Sequence, residues 1–310
     1  MVALTTSLRC RDGLARALAI VALAVGCASP NPKGLQIRQD VPYAATAHRK
    51  QQLDLYLRDD GGRNRPLAVF IHGGAWKELD RRMLQWVTGY FGRTGEYLAR
   101  QGFVAAVVGY RQPPEAGMAE GLGDVARAVG WLQTHALELG GNPRCMVLLG
   151  HSGGALLAGL LAYDRTRLRA VGADPSAVAG VALLAGLYDP DALLAHVTGS
   201  DREAIEGFYG KDGDARRQWA VERMLLPEAP TTVVLGAADD TPGLVEQHRR
   251  MTERVAAAGS PHTAQLLDVG HMGAVPQPGN RPAEVLTAWL DAARGRCATA
   301  LPAAPSPASR

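Results

Sequence analysis

The sequence predicts an α/β fold, in which helices cover both faces of a mostly parallel central sheet. Short continuous apolar runs recur along the chain, and such runs are typical of strands that are covered on both faces. Segments with apolar residues at helical spacing separate these runs. Strands that alternate with helices form parallel sheets. The 310 residues, 47% of them hydrophobic, are enough for a large core.

The candidate strands follow two patterns. Residues 52–57 (QLDLYL) alternate between apolar and polar side chains, as a half-buried strand does. The fully apolar runs are residues 67–71, 103–108, 146–149, 178–184 and 231–235, with a weaker run at 264–269. We expect these runs to form the central sheet.

The candidate helices lie between the strands, at residues 122–132, 156–161, 245–258 and 283–293. The sequence GGNP at residues 140–143 ends the first of them. Residues 188–229 break the alternation, because they combine mixed charge, several glycines and helical fragments. We expect this segment to be a small cap inserted over one end of the sheet.

The amino-terminal residues indicate export. Three arginines precede the apolar run of residues 17–26, which is too short to span a bilayer and fits a signal peptide over residues 1–27. The run ends in small residues before Cys27 and resembles a bacterial lipobox. This pattern predicts an exported protein, periplasmic or a cell-envelope lipoprotein attached to the membrane through lipidated Cys27. The alternative is an ordinary cleaved signal with an incidental cysteine.

The remaining boundaries follow from composition. Residues 28–36 have the Pro and Gly content of a tether, and we expect residues 37–296 to form the folded domain and residues 297–310 a disordered tail. Cys145 and Cys297 are the two cysteines left in the mature domain. In an oxidising compartment they could pair, and a disulfide between them is a hypothesis that competes with two free thiols.

Charge and motif content exclude several classes of function. The net charge is +3, from 33 basic and 30 acidic residues, which is too balanced to indicate a nucleic-acid partner, and we expect none. The sequence has no cysteine or histidine spacing suited to zinc. It also lacks a lysine-containing phosphate loop and a dinucleotide-binding glycine fingerprint. We therefore expect no cofactor and no metal.

The strongest chemical motif is GHSGG at residues 150–154, between the apolar run 146–149 and the following helix. Gly-x-Ser-x-Gly in a strand–turn–helix context predicts a nucleophile elbow with Ser152 as nucleophile. Gly150 and Gly154 are expected because a Cβ there would clash with the neighbouring strand and helix. The alternative is a glycine-rich turn whose serine has no catalytic role.

A second motif, HGGAW at residues 72–76, ends the run 67–71 and is typical of an oxyanion-hole loop. Gly73 and Gly74 are the predicted backbone N–H donors, together with Gly153, the residue after the nucleophile. His72 is expected to fix the loop rather than act as a base. A simple turn is the alternative for this motif.

A serine nucleophile needs a base and an orienting carboxylate, in the chain order Ser, acid, His. Asp239 follows the run 231–235 in a Gly-x-x-Asp turn, and His271 follows the last strand. We predict Asp239 as the acid, with Asp240 as its rival, and His271 as the base. The other histidines are expected on helices or at the opposite edge of the sheet: His135, His248 and His262.

With these motifs in place, the chain resembles the α/β-hydrolase superfamily, over about residues 50 to 290. It is similar to the carboxylesterase or hormone-sensitive-lipase-like branch and to its feruloyl-esterase-like and kynurenine-formamidase-like relatives. The motifs that carry the resemblance are LDLYL (53–57), HGGAW (72–76), GYR (109–111), GNP (141–143), GHSGG (150–154), GAAD (236–239) and GH (270–271). Gly109 departs from the aspartate often found before Tyr-Arg in that superfamily.

The sequence therefore predicts a serine hydrolase that cleaves small carboxylic esters through an acyl-enzyme, with Ser152, His271 and Asp239 as its triad. Gly73, Gly74 and Gly153 would hold the oxyanion. An amide or formamide hydrolase of the kynurenine-formamidase type is the enzymatic alternative. A catalytically inactive hydrolase fold that serves as a binding module is the non-enzymatic one.

Overall fold

A single sheet of eight strands organises the part of the chain that the structure, a computed structural model, describes: residues 33–46, 48–74, 81, 89–225 and 229–299. The strands are β1 (Leu35–Pro42), β2 (Gln52–Arg58), β3 (Arg65–Ile71), β4 (Val104–Val108), β5 (Gly141–His151), β6 (Val178–Leu184), β7 (Thr231–Ala237) and β8 (His262–Leu267). Their order in the sheet is β1-β2-β4-β3-β5-β6-β7-β8. β2 pairs antiparallel with β1 and β4, and all later pairs are parallel.

Helices connect the strands and cover the sheet. They are α1 (Tyr90–Arg100), α2 (Met118–Thr134), α3 (Gly153–Tyr163), α4 (Arg165–Arg169), α5 (Pro190–Leu194), α6 (Gly199–Tyr209), α7 (Gly213–Arg217), α8 (Pro242–Ala257) and α9 (Arg281–Thr299). Short 3-10 turns occupy Pro175–Ala177, Val221–Arg223 and His271–Ala274. No helix in the described ranges is long and apolar enough to cross a bilayer.

Two apolar cores lie on opposite faces of the sheet, as the side-chain alternation of β3 shows. Leu67, Val69 and Ile71 belong to the core that α2, α3 and α8 cover. Ala68 and Phe70, one position out of phase, belong to the core that α1 and α9 cover. Successive side chains of a strand point to opposite faces, so a continuous apolar run is the pattern that a strand covered on both faces requires.

The predicted α/β architecture is confirmed, and every strand and helix expected from the sequence is present. The elements that were not predicted are β1, α1, the short helix α4 and the two 3-10 turns outside the insertion. β1 is an edge strand with mostly accessible side chains, and α1 has two glycines in its sequence YFGRTGEYLAR. The folded domain begins at Leu35, inside the predicted tether. The predicted signal peptide 1–27, Cys27 and most of the tether lie outside the described residues.

The segment at 188–229 forms the expected insertion between β6 and β7, with α5, α6, α7 and the 3-10 turn Val221–Arg223. It packs closely on the body of the fold. A Cβ on Gly159 of α3 would lie 2.7 Å from Val221, and a Cβ on Gly121 of α2 would lie 3.3 Å from the ring of Phe208. Glycines at these positions therefore allow the insertion to approach both helices.

A disulfide joins Cys145 of β5 to Cys297 of α9, with a Cα–Cα distance of 5.6 Å. It confirms the hypothesis of pairing. The sequence placed Cys297 past the last helix and at the start of the disordered tail, whereas α9 continues to Thr299. The extra helical turn brings Cys297 against the sheet, where both cysteines are buried.

Candidate active site

Ser152 lies at the sharp turn between β5 and α3, in a backbone conformation that residues other than glycine rarely adopt (φ 57°, ψ −126°). Its N–H donates to the carbonyl of Leu184 at 2.9 Å, and its carbonyl accepts from Ala155 at 3.0 Å. These bonds to β6 and α3 hold the residue in its strained geometry. The serine therefore lies at the carboxyl edge of the sheet, before the amino terminus of a buried helix.

The glycines of the GHSGG motif are required by close backbone approaches. A Cβ on Gly150 would collide with the backbone of Gly154, and a Cβ on Gly154 would collide with the carbonyls of Ile71 and His72 at the end of β3. The sequence-based explanation for these two glycines is confirmed. Because these two residues have no side chains, the turn before α3 packs directly against the loop that follows β3.

That loop places Gly73 beside the serine, because a Cβ on Gly73 would lie 2.6 Å from the Cβ of Ser152. Gly74 follows it and is buried, and Gly153 is the first residue of α3, where backbone N–H groups lack intrahelical acceptors. The three predicted donors thus lie in the two segments that meet at Ser152. Ala75 and Trp76 are outside the described residues.

The buried ring of His72 fixes the loop, as predicted from the sequence. It stacks between Tyr110 and Phe91, with ring centroids 4.9 and 5.5 Å away. Its Nδ1 lies 2.6 Å from the carbonyl oxygen of Gly73, and the hydroxyl of Tyr110 donates to the carbonyl of His72 at 2.9 Å. Contacts on both sides and along the main chain keep His72 facing inward, away from a catalytic role.

His271 and Asp240 form the main ionisable pair of the site. The Nδ1 of His271 lies 2.6 Å from Oδ2 of Asp240, and the other carboxylate oxygen accepts from the N–H of Thr241 at 2.8 Å. The Asp240 side chain is 5% exposed and that of His271 is 31% exposed. A carboxylate on Nδ1 fixes the imidazole tautomer and leaves Nε2 as the reactive nitrogen.

The structure corrects the choice of acid, because Asp240 and not Asp239 meets His271. The β7–β8 ladder continues past β7, with the N–H of Asp239 donating to the carbonyl of Val269 at 3.2 Å. Asp239 is exposed. The chain then turns, with the N–H of Asp240 donating to Ala237, and this turn brings the Asp240 carboxylate inward. Counting residues from the strand end could not show this turn.

His151 links the nucleophile segment to His271. Its Nε2 lies 3.0 Å from the carbonyl oxygen of His271, and the two rings are 4.7 Å apart between centroids. Burial, with a further contribution from His271, lowers the pKa of His151 to about 3. Within the described ranges the Ser152 hydroxyl makes no hydrogen bond to His271. Catalytic hydrogen bonds are often long without substrate. No pattern in the sequence marks His151 as part of the site.

The other candidate histidines lie away from the site. His135 stacks on Trp131 in α2, and His262 begins β8 at the opposite edge of the sheet. His248 is buried in α8 against Gly236, and burial lowers its pKa. These positions agree with the sequence-based expectation for all three.

Asp124 of α2 binds the segment that follows β4. It is buried and accepts from the backbone N–H of Arg111 at 3.1 Å, from its guanidinium at 2.8 Å, and from Gln51 at 2.7 Å. These hydrogen bonds hold its pKa below the usual range against the opposing effect of burial. Gly109 lies two residues before Arg111, and a Cβ there would approach the carbonyls of Lys50 and Gln52 within about 3 Å. A larger residue at position 109 does not fit.

The ionisable groups of the site are therefore Ser152, His151, His271 and Asp240. Among the described residues, no group of three or more His, Cys, Asp or Glu side chains is arranged to hold a metal ion. The groups present can deprotonate a hydroxyl and stabilise the resulting imidazolium, with backbone N–H groups nearby. That arrangement is suited to acyl transfer.

Comparison with known proteins gives the same architecture. Residues 53–196, slightly less than half of the chain, match the family model described as BD-FAE. The chain is 26% identical over 133 residues to a probable isoprenylcysteine alpha-carbonyl methylesterase of Arabidopsis thaliana, covering 42% of this chain and 29% of that protein. It is 30% identical over 126 residues to kynurenine formamidase of Danio rerio, covering 41% of this chain and 39% of that protein.

These sequence matches span less than half the length of the two relatives. The solved structure of esterase B from Lactobacillus rhamnosis aligns with a TM-score of 0.73 and 19% identity, over 93% of this chain and 95% of that one. An alignment of this extent shows that the whole sheet and its helices share one topology. The chain therefore has the α/β-hydrolase fold, and the proteins to which it is similar include esterases and a formamidase.

Proposed function

We propose that the protein is a serine hydrolase that cleaves carboxylic esters through an acyl-enzyme. Ser152 is the nucleophile, His271 the general base, and Asp240 the carboxylate that orients the base. The observation that carries the proposal is the 2.6 Å bond between Asp240 and His271, at the sheet edge where Ser152 occupies a strained turn. A histidine positioned by a carboxylate beside such a serine is the arrangement that acyl transfer needs.

The reaction proceeds in two halves. Ser152 Oγ attacks the acyl carbon while His271 Nε2 takes its proton, and Asp240 stabilises the imidazolium that forms. The tetrahedral intermediate collapses, and His271 returns the proton to the leaving alcohol. A water molecule then enters, loses a proton to His271 and attacks the acyl carbon. The second tetrahedral intermediate collapses as His271 returns the proton to Ser152 Oγ, which releases the carboxylic acid and restores the serine.

The oxyanion is held by the N–H groups of Gly73, Gly74 and Gly153. The contact between Gly73 and Ser152 supports this assignment, as does the position of Gly153 at the amino terminus of α3. These donors belong to the backbone and need no rearrangement when charge develops. Each donor in such a site contributes about 10²–10³ in rate.

A formamide or other amide is the second candidate substrate, and the similarity to kynurenine formamidase favours it. Both reactions begin with attack of Ser152 on an acyl carbon. They differ in the leaving group, because an amine needs more complete protonation by His271 than an alcohol does. The similarity to a methylesterase favours the ester, as do the esterase structures with the same fold.

The test is a panel of methyl esters and of the p-nitrophenyl esters of acetate and butyrate, with N-formyl aromatic amines as the competing class. The wild-type chain should hydrolyse the short esters with higher kcat/KM than the formamides. Ser152→Ala should abolish both activities without changing the unfolding temperature. Higher kcat/KM on the formamides would select the amide hydrolase. Absence of any turnover, with no labelling by a fluorophosphonate, would select a binding module.

We also propose that the protein is exported and attached to the cell envelope of a bacterium through Cys27. The disulfide between Cys145 and Cys297 supports export, because disulfides persist in oxidising compartments. Mass spectrometry of the mature amino terminus in a bacterial host tests this. A diacylated Cys27 is the expected result, an unmodified cleaved terminus supports export alone, and an intact residue 1 contradicts both.

A further inference from the structure

His151 is a buried ionisable side chain to which the proposed reaction gives no role. It immediately precedes the nucleophile and is 1% exposed. Its Nε2 is 3.0 Å from the main-chain oxygen of His271, and its ring packs against that of His271. A single side chain therefore joins the nucleophile elbow to the segment that carries the base.

The contact has a defined direction, because its acceptor is a main-chain carbonyl oxygen. A carbonyl oxygen can only accept, so Nε2 of His151 carries the hydrogen and donates it. Nδ1 of His151 is buried without a hydrogen-bond partner. Protonation there would create a buried N–H without an acceptor beside His271, which becomes positively charged during the reaction. A neutral donor therefore binds the His271 main chain without opposing that charge.

The other side of the His271 segment is held by α1. The hydroxyl of Tyr90 donates to the carbonyl of Met272, and the hydroxyl of Thr94 donates to that of Pro276 at 2.9 Å. These bonds position residues after His271. The carbonyl of His271 itself is bound by His151, so of these three main-chain contacts the one from His151 is nearest the ring.

We propose that His151 is a positioning residue, whose Nε2–H holds the main chain of His271 so that the imidazole stands between Asp240 and Ser152. The inference rests on the proposed function and extends it to a residue outside the triad. Asp240 determines which nitrogen of His271 is reactive. His151 determines where that nitrogen stands relative to the serine hydroxyl.

The test compares three substitutions at this position. His151→Phe keeps an aromatic ring and removes the donor. His151→Gln places an amide N–H near the position of the histidine Nε2, and His151→Asn places it one bond short, near Nδ1. We expect His151→Phe to lower kcat for a short p-nitrophenyl ester about 10- to 100-fold with KM changed less than about threefold, since displacement of a catalytic group by about 1 Å costs about 10²-fold.

His151→Gln should recover most of the lost kcat and His151→Asn should not. Labelling of Ser152 by a fluorophosphonate should slow in parallel with kcat, which a loss of substrate binding alone would not produce. His135→Phe is the matched control, because it also removes a histidine contact to a backbone carbonyl, that of Trp131 at 2.8 Å, away from the site. It should leave kcat unchanged.

Wild-type kcat in folded His151→Phe would overturn the inference, and so would equal impairment of the Gln and Asn variants. If the Phe variant does not fold, the comparison of Gln with Asn decides alone. Ser152→Ala, assayed in parallel, distinguishes failure of the positioning role of His151 from failure of the proposed hydrolase function. An inactive Ser152→Ala with a fully active His151→Phe removes only the positioning role, whereas an active Ser152→Ala removes the proposed function and the inference with it.

Discussion

The carboxylate of Asp240 and the imidazole of His271 are joined by a 2.6 Å hydrogen bond, while the adjacent Asp239 is exposed to solvent. Asp240 lies just before α8, whose amino terminus favours a negative charge. The N–H of Thr241 binds its second oxygen. These contacts fix the position of the Asp240 carboxylate, which is what an orienting acid requires.

Asp240→Asn should lower kcat for ester hydrolysis by about 10³–10⁴-fold, because the amide favours the wrong tautomer of His271 and cannot stabilise its cation. Steady-state kinetics on a short p-nitrophenyl ester measures the effect. Asp239→Asn is the matched control, one residue away, and should keep wild-type kcat. The reverse ranking of the two variants would restore Asp239 as the acid.

The pKa of His151 predicts how stability responds to acid. The usual histidine pKa is 6.5, and burial lowers that of His151 to about 3; the charged or titratable neighbours are His271, Asp240 and His72. The unfolded chain therefore takes up the proton first. The stabilising contribution is complete above about pH 6.5 and is lost as the pH falls toward 3, reaching a loss of about 3 kcal/mol at pH 4.5.

Urea unfolding of the wild-type chain and of His151→Gln at pH 7 and pH 4.5 isolates this effect, because glutamine does not titrate. The wild-type free energy of unfolding should fall by about 3 kcal/mol more than that of the variant between the two pH values. His248, whose pKa burial also lowers, contributes equally to both proteins. A pH-independent difference between them would show that His151 titrates alike in the folded and unfolded chain.

The disulfide between Cys145 and Cys297 closes a long loop, with a sequence separation of 152. Replacing both cysteines by alanine should lower the free energy of unfolding by about 2–5 kcal/mol, mainly through the greater freedom of the unfolded chain. Urea titration measures the change. Peptide mapping without reduction should recover the two cysteines in one cross-linked pair, and their recovery as free thiols would contradict the prediction.

Gly154→Ala should destabilise the protein by about 1–3 kcal/mol, because the new methyl group would meet the carbonyls of Ile71 and His72. The same displacement should separate the loop of Gly73 from Ser152 and lower kcat. Gly207→Ala in α6 is the control, because nothing lies within 4 Å of its Cβ position and alanine favours a helix. It should raise stability slightly; a Gly154 variant as stable as wild type would contradict the packing argument.

The sequence predicts the central strands well because burial on both faces leaves a strong signal. The runs 67–71 and 178–184 are apolar throughout, and both are strands of the parallel sheet. β1 lacks that signal, because an edge strand buries few of its side chains. The boundaries at its start and at the end of α9 depend on tertiary contacts, such as the one that Cys297 makes with Cys145.

The site residues likewise divide into those with a local sequence signal and those that depend on contacts between distant segments. Ser152 and its flanking glycines are predictable because one local turn dictates all of them. The choice between Asp239 and Asp240 depends on how far the β7–β8 ladder continues, which is a contact between distant segments. The contact of His151 with His271 joins residues 120 positions apart, so no local pattern could reveal it.

Reaction of the full chain with a fluorescent fluorophosphonate, followed by peptide mass spectrometry, tests the central proposal most directly. We expect one label per chain, located on Ser152, with esterase activity lost in proportion to labelling. Asp240→Asn should label far more slowly, and His271→Ala should not label measurably. Full esterase activity in a chain labelled at Ser152, or a label on another residue that accounts for the loss, would contradict the mechanism.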